Sequence, residues 1–299
     1  MQNKPSEIIK FRKVIWNYYY SYGRHTLPWR RTRDPYRILV SEIMLQQTQV
    51  ERVLKFYPKF IRAFPDFTAL ARAPLKSVLK YWQGMGYNRR ALALKKIAQK
   101  VITEFHGRLP HDLDELQSLS GIGQATAGAI AAFAFNRPVV FIETNIRRVF
   151  IFYFFTHRHP GHDPGSREKI QTKKRHDVSF GFLDSRLRGN DRRVSDQEIL
   201  KFVKLTLDRK RPREWYWALM DYGTMLGKIK SDNPNRRSSA YRRQSKFEGS
   251  RRQLRGEVLR LLLKKKNVSK AALKEFSAVL PELLQEGFIR ESKGEYRLV

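Results

Sequence analysis

Two glycines bracket an isoleucine in LSGIGQATAGAI, Leu119 to Ile130, and a helix of small residues begins directly after them. Glycine lets another molecule approach the main chain and takes backbone angles that side chains resist. A helix start carries unpaired N–H groups and partial positive charge, which suit a phosphate. Gly121, Ile122 and Gly123 therefore read as a phosphate cradle or as a tight turn between two helices. A second candidate is an acid. Glu42 stands among Ile38, Leu39, Ile43 and Leu45. A carboxyl partly removed from water there has a raised pKa and can hold a proton near neutral pH. On the polar side of its helix, the same residue is an ordinary exposed glutamate.

The elements that must hold these residues are helical. Asp34-Pro35 is an N-cap followed by a first-turn proline, and a helix runs through YRILVSEIML. Thr48 and Glu51 read as a capping box opening QVERVLKFYPKFIRAF, which leaves Gln46 and Gln47 at the junction of two helices. PLKSVLKYW stops at Gly84-Met85-Gly86, NRRALALKKIAQKVITEFHG ends at Gly107, and Asp112 with Glu115 caps a short helix before the glycines. QATAGAIAAFAF stops before Asn136-Arg137-Pro138. Period-two alternation is scarce throughout.

Residues 157–193 break the pattern, being polar, rich in glycine and charge, and without an apolar stripe. Directly after them, Ser195 and Glu198 form a further capping box for DQEILKFVKLTLD. The pieces DPGSR and DSRLRGND resemble peptides encoded by palindromic repeats inserted into bacterial genes. The stretch is read as a disordered insertion, with a DNA-contacting loop as the alternative. Four of the seven histidines, His157, His159, His162 and His176, lie in it without acidic or cysteine partners at ligand spacing, so no metal site is expected.

REWYWALMDYG returns to helix, with an aromatic stripe read as core. Residues 227–256 carry ten Lys and Arg against Asp232 and Glu248. With Tyr241 and Phe247 set among Arg242, Arg243, Arg251 and Arg252, this segment reads as tracking a nucleic-acid backbone, or else as a solvated linker. The chain then ends in three short helices, GEVLRLLLKK, SKAALKEF and AVLPELLQEG, and a hairpin, FIRES-KG-EYRLV. This is a winged-helix pattern, but the helix that would enter a groove offers Glu282 and Glu286 and no basic residue, so packing or protein contact is expected of it.

Composition narrows the partner. The 299 residues hold 60 Lys and Arg against 28 Asp and Glu, a net charge of +32, which points to a polyanion. Absence of cysteine excludes disulfides, cysteine-ligated zinc and iron–sulfur clusters. The N-terminal MQNKPSEIIKFRK has no apolar core of a signal peptide, and VFIFYFF is too short to span a bilayer. A soluble, cytoplasmic, nucleoid-associated protein is expected, with no membrane partner.

LPWR (27–30), SEIMLQQTQV (41–50), YWQGMGYNRRA (81–91), LSGIGQATAGAI (119–130), NIRRVF (145–150) and ALMDYG (218–223) follow one another in an order and spacing that resemble the helix–hairpin–helix base-excision glycosylases, in particular the adenine glycosylases of the MutY type. The resemblance covers about residues 5 to 156 and 194 to 226. It implies an all-α, two-domain fold: a six-helix barrel with the hairpin over 28–137, and a second helical domain from 1–27 with 138–250. Residues 251–299 add a small winged-helix-like α+β module.

The resemblance also implies the roles. An extruded adenine is cleaved from its sugar by an acid and a carboxylate that steadies the cationic sugar. Glu42 is the acid. The second carboxylate falls on Glu143, where Glu143-Thr144-Asn145 replaces the family's Asp-Gly-Asn, and Asn145 orients it or the attacking water. Gln47 and Tyr87 wedge into the duplex, with Gln46 beside them. Gly121, Ile122 and Gly123 hold a phosphate through N–H groups, with a monovalent cation on the hairpin carbonyls as an option. Bifunctional relatives carry a lysine where Ala125 stands, so a monofunctional enzyme is expected. The loop after ALMDYGTML has no cysteine for the family's iron–sulfur cluster, and the family's 8-oxoguanine-sensing C-terminal domain has no counterpart in this sequence. The expected partner is double-stranded DNA and the expected state a monomer. A glycosylase for another mispaired base, or a non-catalytic binder of distorted DNA, are the alternatives.

Overall fold

Prolines and short polar residues mark where the helices begin. Pro5 opens α1 (Pro5–Tyr22). Asp34 caps α2 (Pro35–Leu45) by accepting the Tyr36 N–H at 2.9 Å, with Pro35 at the start, where no donor is needed. The expected Thr48–Glu51 capping box does not form. α3 (Val50–Ala63) starts after Gln49, which makes no side-chain cap. The Thr48 hydroxyl instead donates to the Gln46 carbonyl at 3.2 Å and accepts from Arg90 at 3.0 Å. Asp66 caps α4 (Phe67–Arg72), a helix the sequence reading passed over. α5 (Leu75–Trp82), α6 (Arg89–Glu104), α7 (Leu113–Gln117), α8 (Gln124–Phe135) and α9 (Thr144–Phe155) follow. The Ser195–Glu198 capping box is present in both directions at the head of α10 (Asp196–Thr206). α11 (Pro212–Lys228) and α12 (Arg251–Lys264) precede a 3-10 turn at Ala271–Phe276 and α13 (Leu280–Gln285).

The chain ends in the expected hairpin. β2 (Ile289–Ser292) and β3 (Glu295–Leu298) are antiparallel and joined by Lys293 and Gly294, both left-handed, the backbone a two-residue turn requires. A third strand, β1 (Val268–Ser269), pairs with the free edge of β3.

This computed structural model describes residues 5–155, 193–228, 233–243, 245–265 and 267–299. The insertion read at 157–193 lies, apart from Arg193, outside the described residues. No described helix is long and apolar enough to cross a membrane.

The helices gather into two units, one from Met1–Arg24 with Asn136–Arg242 and one from His25–Phe135 with Arg243–Val299. In the first, α9 lies between α11, α10 and the 3-10 turn at Pro234–Arg237, and α1 packs on α11. Its core is aromatic: Phe11 meets Phe150, Phe154 and Trp215 with ring centroids 5.2–6.1 Å apart. The stripe in REWYWALMDYG is core, as read, with Trp215 and Tyr216 fully buried.

In the second unit, α2 is the central helix and packs on α3, α6 and α8. Ile38, Leu39, Ile43 and Met44 of α2 are buried with Phe60 and Trp82. α8 is buried from Ala127 to Ala134, and its small side chains let α2 and α7 come close. The three C-terminal helices and the small sheet belong to this same unit, with α12 against α5.

Candidate functional site

The hairpin between α7 and α8 uses its two glycines differently. Gly121 has φ +76°, a left-handed angle, and a Cβ there would lie 3.2 Å from the Ala93 Cβ of α6. Gly123 has no such angle, and a Cβ on it would meet open space. Its carbonyl accepts the Ala127 N–H at 2.9 Å and so opens α8. Ile122 between them is buried and pins the turn, its N–H bonded to the Leu119 carbonyl at 3.1 Å. Gly121, Gly123, Gln124 and Ala125 are exposed, so the positive end of α8 is open to an approaching anion.

The Gln46 amide belongs to this hairpin. It donates to the Gly121 carbonyl at 3.3 Å and to the Thr126 hydroxyl at 3.2 Å, fastening the end of α2 to the glycines. The next residue, Gln47, is exposed and takes φ +52°. Tyr87 takes φ +50° in the loop between α5 and α6. Left-handed backbone at a non-glycine residue is costly, on the order of 1 kcal/mol or more, and persists only where the surroundings enforce it. Here the enforcer is Arg90. Its guanidinium is buried and donates to the carbonyls of Met44 at 2.8 Å, Gln46 at 2.5 Å and Gly86 at 3.1 Å. One side chain thereby satisfies the carbonyls at the end of α2 and ties the Gln47 turn to the Tyr87 loop. Burial pulls its pKa down to about 10, which leaves it charged at neutral pH.

The sequence reading did not single out Arg90. The signal was there: Arg90, Ala91, Leu94, Ile97, Ala98 and Val101 form one buried stripe, with a charged residue at its head. Glu42 lies on α2 one turn before Gln46, half-buried between the buried Ser41 and Ile43.

Glu143 and Asn145 lie in the other unit, at the start of α9. Glu143 is the cap of that helix. One carboxylate oxygen accepts the N–H groups of Asn145 at 2.7 Å and Ile146 at 2.8 Å, and the other accepts the Asn145 amide at 3.3 Å. Burial pushes the Glu143 carboxyl up from its ordinary value, against the two N–H bonds and the charges of Arg148 and Arg147, which pull it down. Asn145 in turn accepts from Arg148 at 2.8 Å, and Arg148 donates to the Gly223 carbonyl at 2.6 Å. Glu143, Asn145, Arg148 and Gly223 are thus one connected set. Sequence reasoning named the first two.

The motif ALMDYG accounts for the set's support. Asp221 takes the Arg24 guanidinium at 2.6 Å, the Tyr222 and Tyr153 hydroxyls are hydrogen-bonded at 2.5 Å, and Gly223 lets α11 lie against the backbone of Asn145.

Arg251 and Arg252 both have partners: Arg251 pairs with Glu282, and Arg252 donates to the Tyr87 hydroxyl and lies over its ring, 5.2 Å from the centroid. Arg242 and Arg243 are exposed, Arg242 bonded to the Ser239 and Tyr241 carbonyls.

Residues 40–173 match the HhH-GPD superfamily of base excision DNA repair proteins. The chain's relatives in sequence include the adenine DNA glycosylase of Buchnera aphidicola subsp. Baizongia pistaciae, 44% identical over 144 residues, 48% of this chain and 41% of that one. The adenine DNA glycosylase of Mycolicibacterium smegmatis is 42% identical over 132 residues, 44% of this chain and 45% of that one, and the human one is 37% identical over 153 residues, 48% and 28%. The match thus spans less than half the length of these relatives. In fold, the chain is similar to a thermostable thymine-DNA glycosylase, with TM-score 0.59 and 23% identity over 78% of this chain and 93% of that one. It is also similar to endonuclease III in a trapped covalent DNA intermediate, with TM-score 0.55 and 18% identity over 77% and 91%.

Proposed function

We propose that this protein is a monofunctional DNA glycosylase that hydrolyses the N-glycosidic bond of adenine mispaired with 8-oxoguanine or guanine. The observation that carries the reading is α2. It bears Glu42 one turn before Gln46, Gln46 grips the hairpin, and Gln47 stands in a left-handed turn locked by Arg90. The acid on α2 and the wedge just after it are thereby fastened to the phosphate cradle.

The chemistry follows from the groups. The hairpin fixes the strand by a phosphate, without reading sequence. Gln47 and Tyr87 open the stack so that the adenine leaves it. Glu42 gives its proton to the purine as the bond between C1′ and N9 breaks and the electron pair goes to the base. Glu143, ionised, steadies the cationic sugar, and Asn145 and Arg148 hold that carboxylate. Water adds to C1′ and its proton passes to a carboxylate, giving free adenine and an abasic site. Ala125 offers no amine, so no Schiff base forms there. An iron–sulfur cluster does not fit this chain: it has no cysteine to hold one, and no step runs through it.

One observation favours a second reading, a binder of distorted DNA without excision: the Glu143 carboxylate is engaged by the cap of its own helix. Excision assays on duplexes carrying adenine opposite 8-oxoguanine, guanine, cytosine and thymine, with other mispaired bases as a further arm, separate the readings. Release of adenine from the first two supports the proposal. Release of another base, or binding with no release, replaces it.

A further inference from the structure

The C-terminal module turns its acidic helix toward arginines of its own unit. Glu286, just after α13, takes Arg255 of α12 through both oxygens, at 3.0 and 2.6 Å, and Arg89 of α6 at 2.5 Å. Glu282 takes Arg255 at 2.8 Å and also Arg251. In a module of three helices and a wing, α13 is the helix that would enter a duplex groove. Its carboxylates are instead neutralised, and their pKa values lie below the ordinary carboxylate range under the hydrogen bonds and charge of these arginines. The acidic face that made α13 a poor DNA reader is a docking face.

Docking α13 this way leaves α12 beside a groove. A cavity of about 1120 Å³ runs between α12, the Gln46–Gln49 turn and the Gln83–Arg90 loop. Arg52 on one wall and Arg260 on the other are exposed and have no acidic partner among the described residues. Gln47 and Tyr87 line the same groove, and the guanidiniums of Arg252 and Arg90 each lie 5.2 Å from the centroid of the Tyr87 ring. Guanidinium forks match phosphate oxygens.

We infer that this groove extends the DNA interface of Gln47 and Tyr87 and grips a strand through its phosphates, with α12 and not α13 as the DNA-facing helix of the module. Arg52 and Arg260 each take one phosphate. The subsite rests on the proposed function only in taking DNA as the polyanion, and it needs no excision. An acidic protein partner would meet the same charges, but arginine forks and amides beside the exposed left-handed turn at Gln47 favour a polynucleotide.

The test uses the full chain with the double substitution R52A/R260A, and K270A/K274A, exposed residues of the module that do not line the groove, as its counterpart. Anisotropy titrations with a fully paired duplex and with one carrying an adenine:8-oxoguanine pair give Kd across a salt series. For R52A/R260A the slope of log Kd against log salt falls by about 1.8, the counterions of two phosphates. K270A/K274A leaves it unchanged. Both pairs are exposed, and an unchanged thermal midpoint shows that each variant is folded. An unchanged slope in R52A/R260A, a loss in K270A/K274A alone, or a wild-type chain that does not bind duplex overturns the inference. A wild-type chain that binds with the expected slopes but releases no adenine leaves the subsite standing and removes the glycosylase reading.

Discussion

A Cβ placed on Gly223 would lie 2.3 Å from the backbone oxygen of Asn145 and 2.8 Å from its carbonyl carbon. No rotamer relieves a clash with backbone. The glycine therefore sets how close α11 comes to the start of α9, and with it where Asn145 and Glu143 stand.

Gly223→Ala weighs two opposed effects. Alanine in place of glycine within a helix gains about 0.5–1 kcal/mol. Forcing α11 away from α9 costs about 1–3 kcal/mol. The clash wins, so the variant melts below the wild type and its single-turnover excision falls while duplex affinity is kept. A higher melting temperature with wild-type excision would show that the helices separate freely.

Glu143 joins stability to function through its charge. Its folded pKa is raised, so folding favours the protonated form. The resulting stability is full below the ordinary glutamate pKa and is lost as pH rises through the folded value. Above that folded value the ionised group is a cost. Glu143→Gln is expected to melt no lower than the wild type at pH 7 while excision drops severely, a trade of stability for activity. Excision by the wild type should fall with decreasing pH at a value above the ordinary carboxylate range. Glu143→Asp also lowers the rate, because a carboxylate drawn back by one C–C bond leaves the position that the Asn145–Arg148 pair supports. A rate increase in Glu143→Asp would show instead that the longer acid is a defect.

Arg90→Lys keeps the charge and loses the fork. Lysine cannot reach the carbonyls of Met44, Gln46 and Gly86 together, and orphaned carbonyls cost about 1 kcal/mol or more each. The urea midpoint should drop by the equivalent of about 2 kcal/mol. A 2-aminopurine reporter at the target base should show less extrusion at saturating protein, a readout that mere loss of stability does not move. Full extrusion would free Arg90 of any role in holding Gln47 and Tyr87.

Much of the frame was legible because it rests on local chemistry. Asp34-Pro35, Ser195 with Glu198, and Lys293-Gly294 dictate a helix start, a capping box and a turn from two to four residues each. Failures came where distant partners outbid local ones. Thr48 would cap α3, but Arg90, 42 residues away, takes its hydroxyl. The acidic residues of α13 were visible, and their partner Arg89, 197 residues from Glu286, was not. Glu143 and Asn145 were named through their motif. Arg148 and Gly223 also lie in quoted motifs, but their roles appear only once α9 and α11 are in contact.

The central claim is that Glu42 supplies the proton for adenine release, and it is tested most directly by single-turnover excision on an adenine:8-oxoguanine duplex, with wild type and Glu42→Gln side by side. The expected result is release of free adenine by the wild type, an abasic strand that breaks only on later alkali treatment, and no release by Glu42→Gln at unchanged duplex affinity. A Glu42→Gln variant that excises at the wild-type rate, or a wild type that binds the duplex and releases nothing, would contradict it.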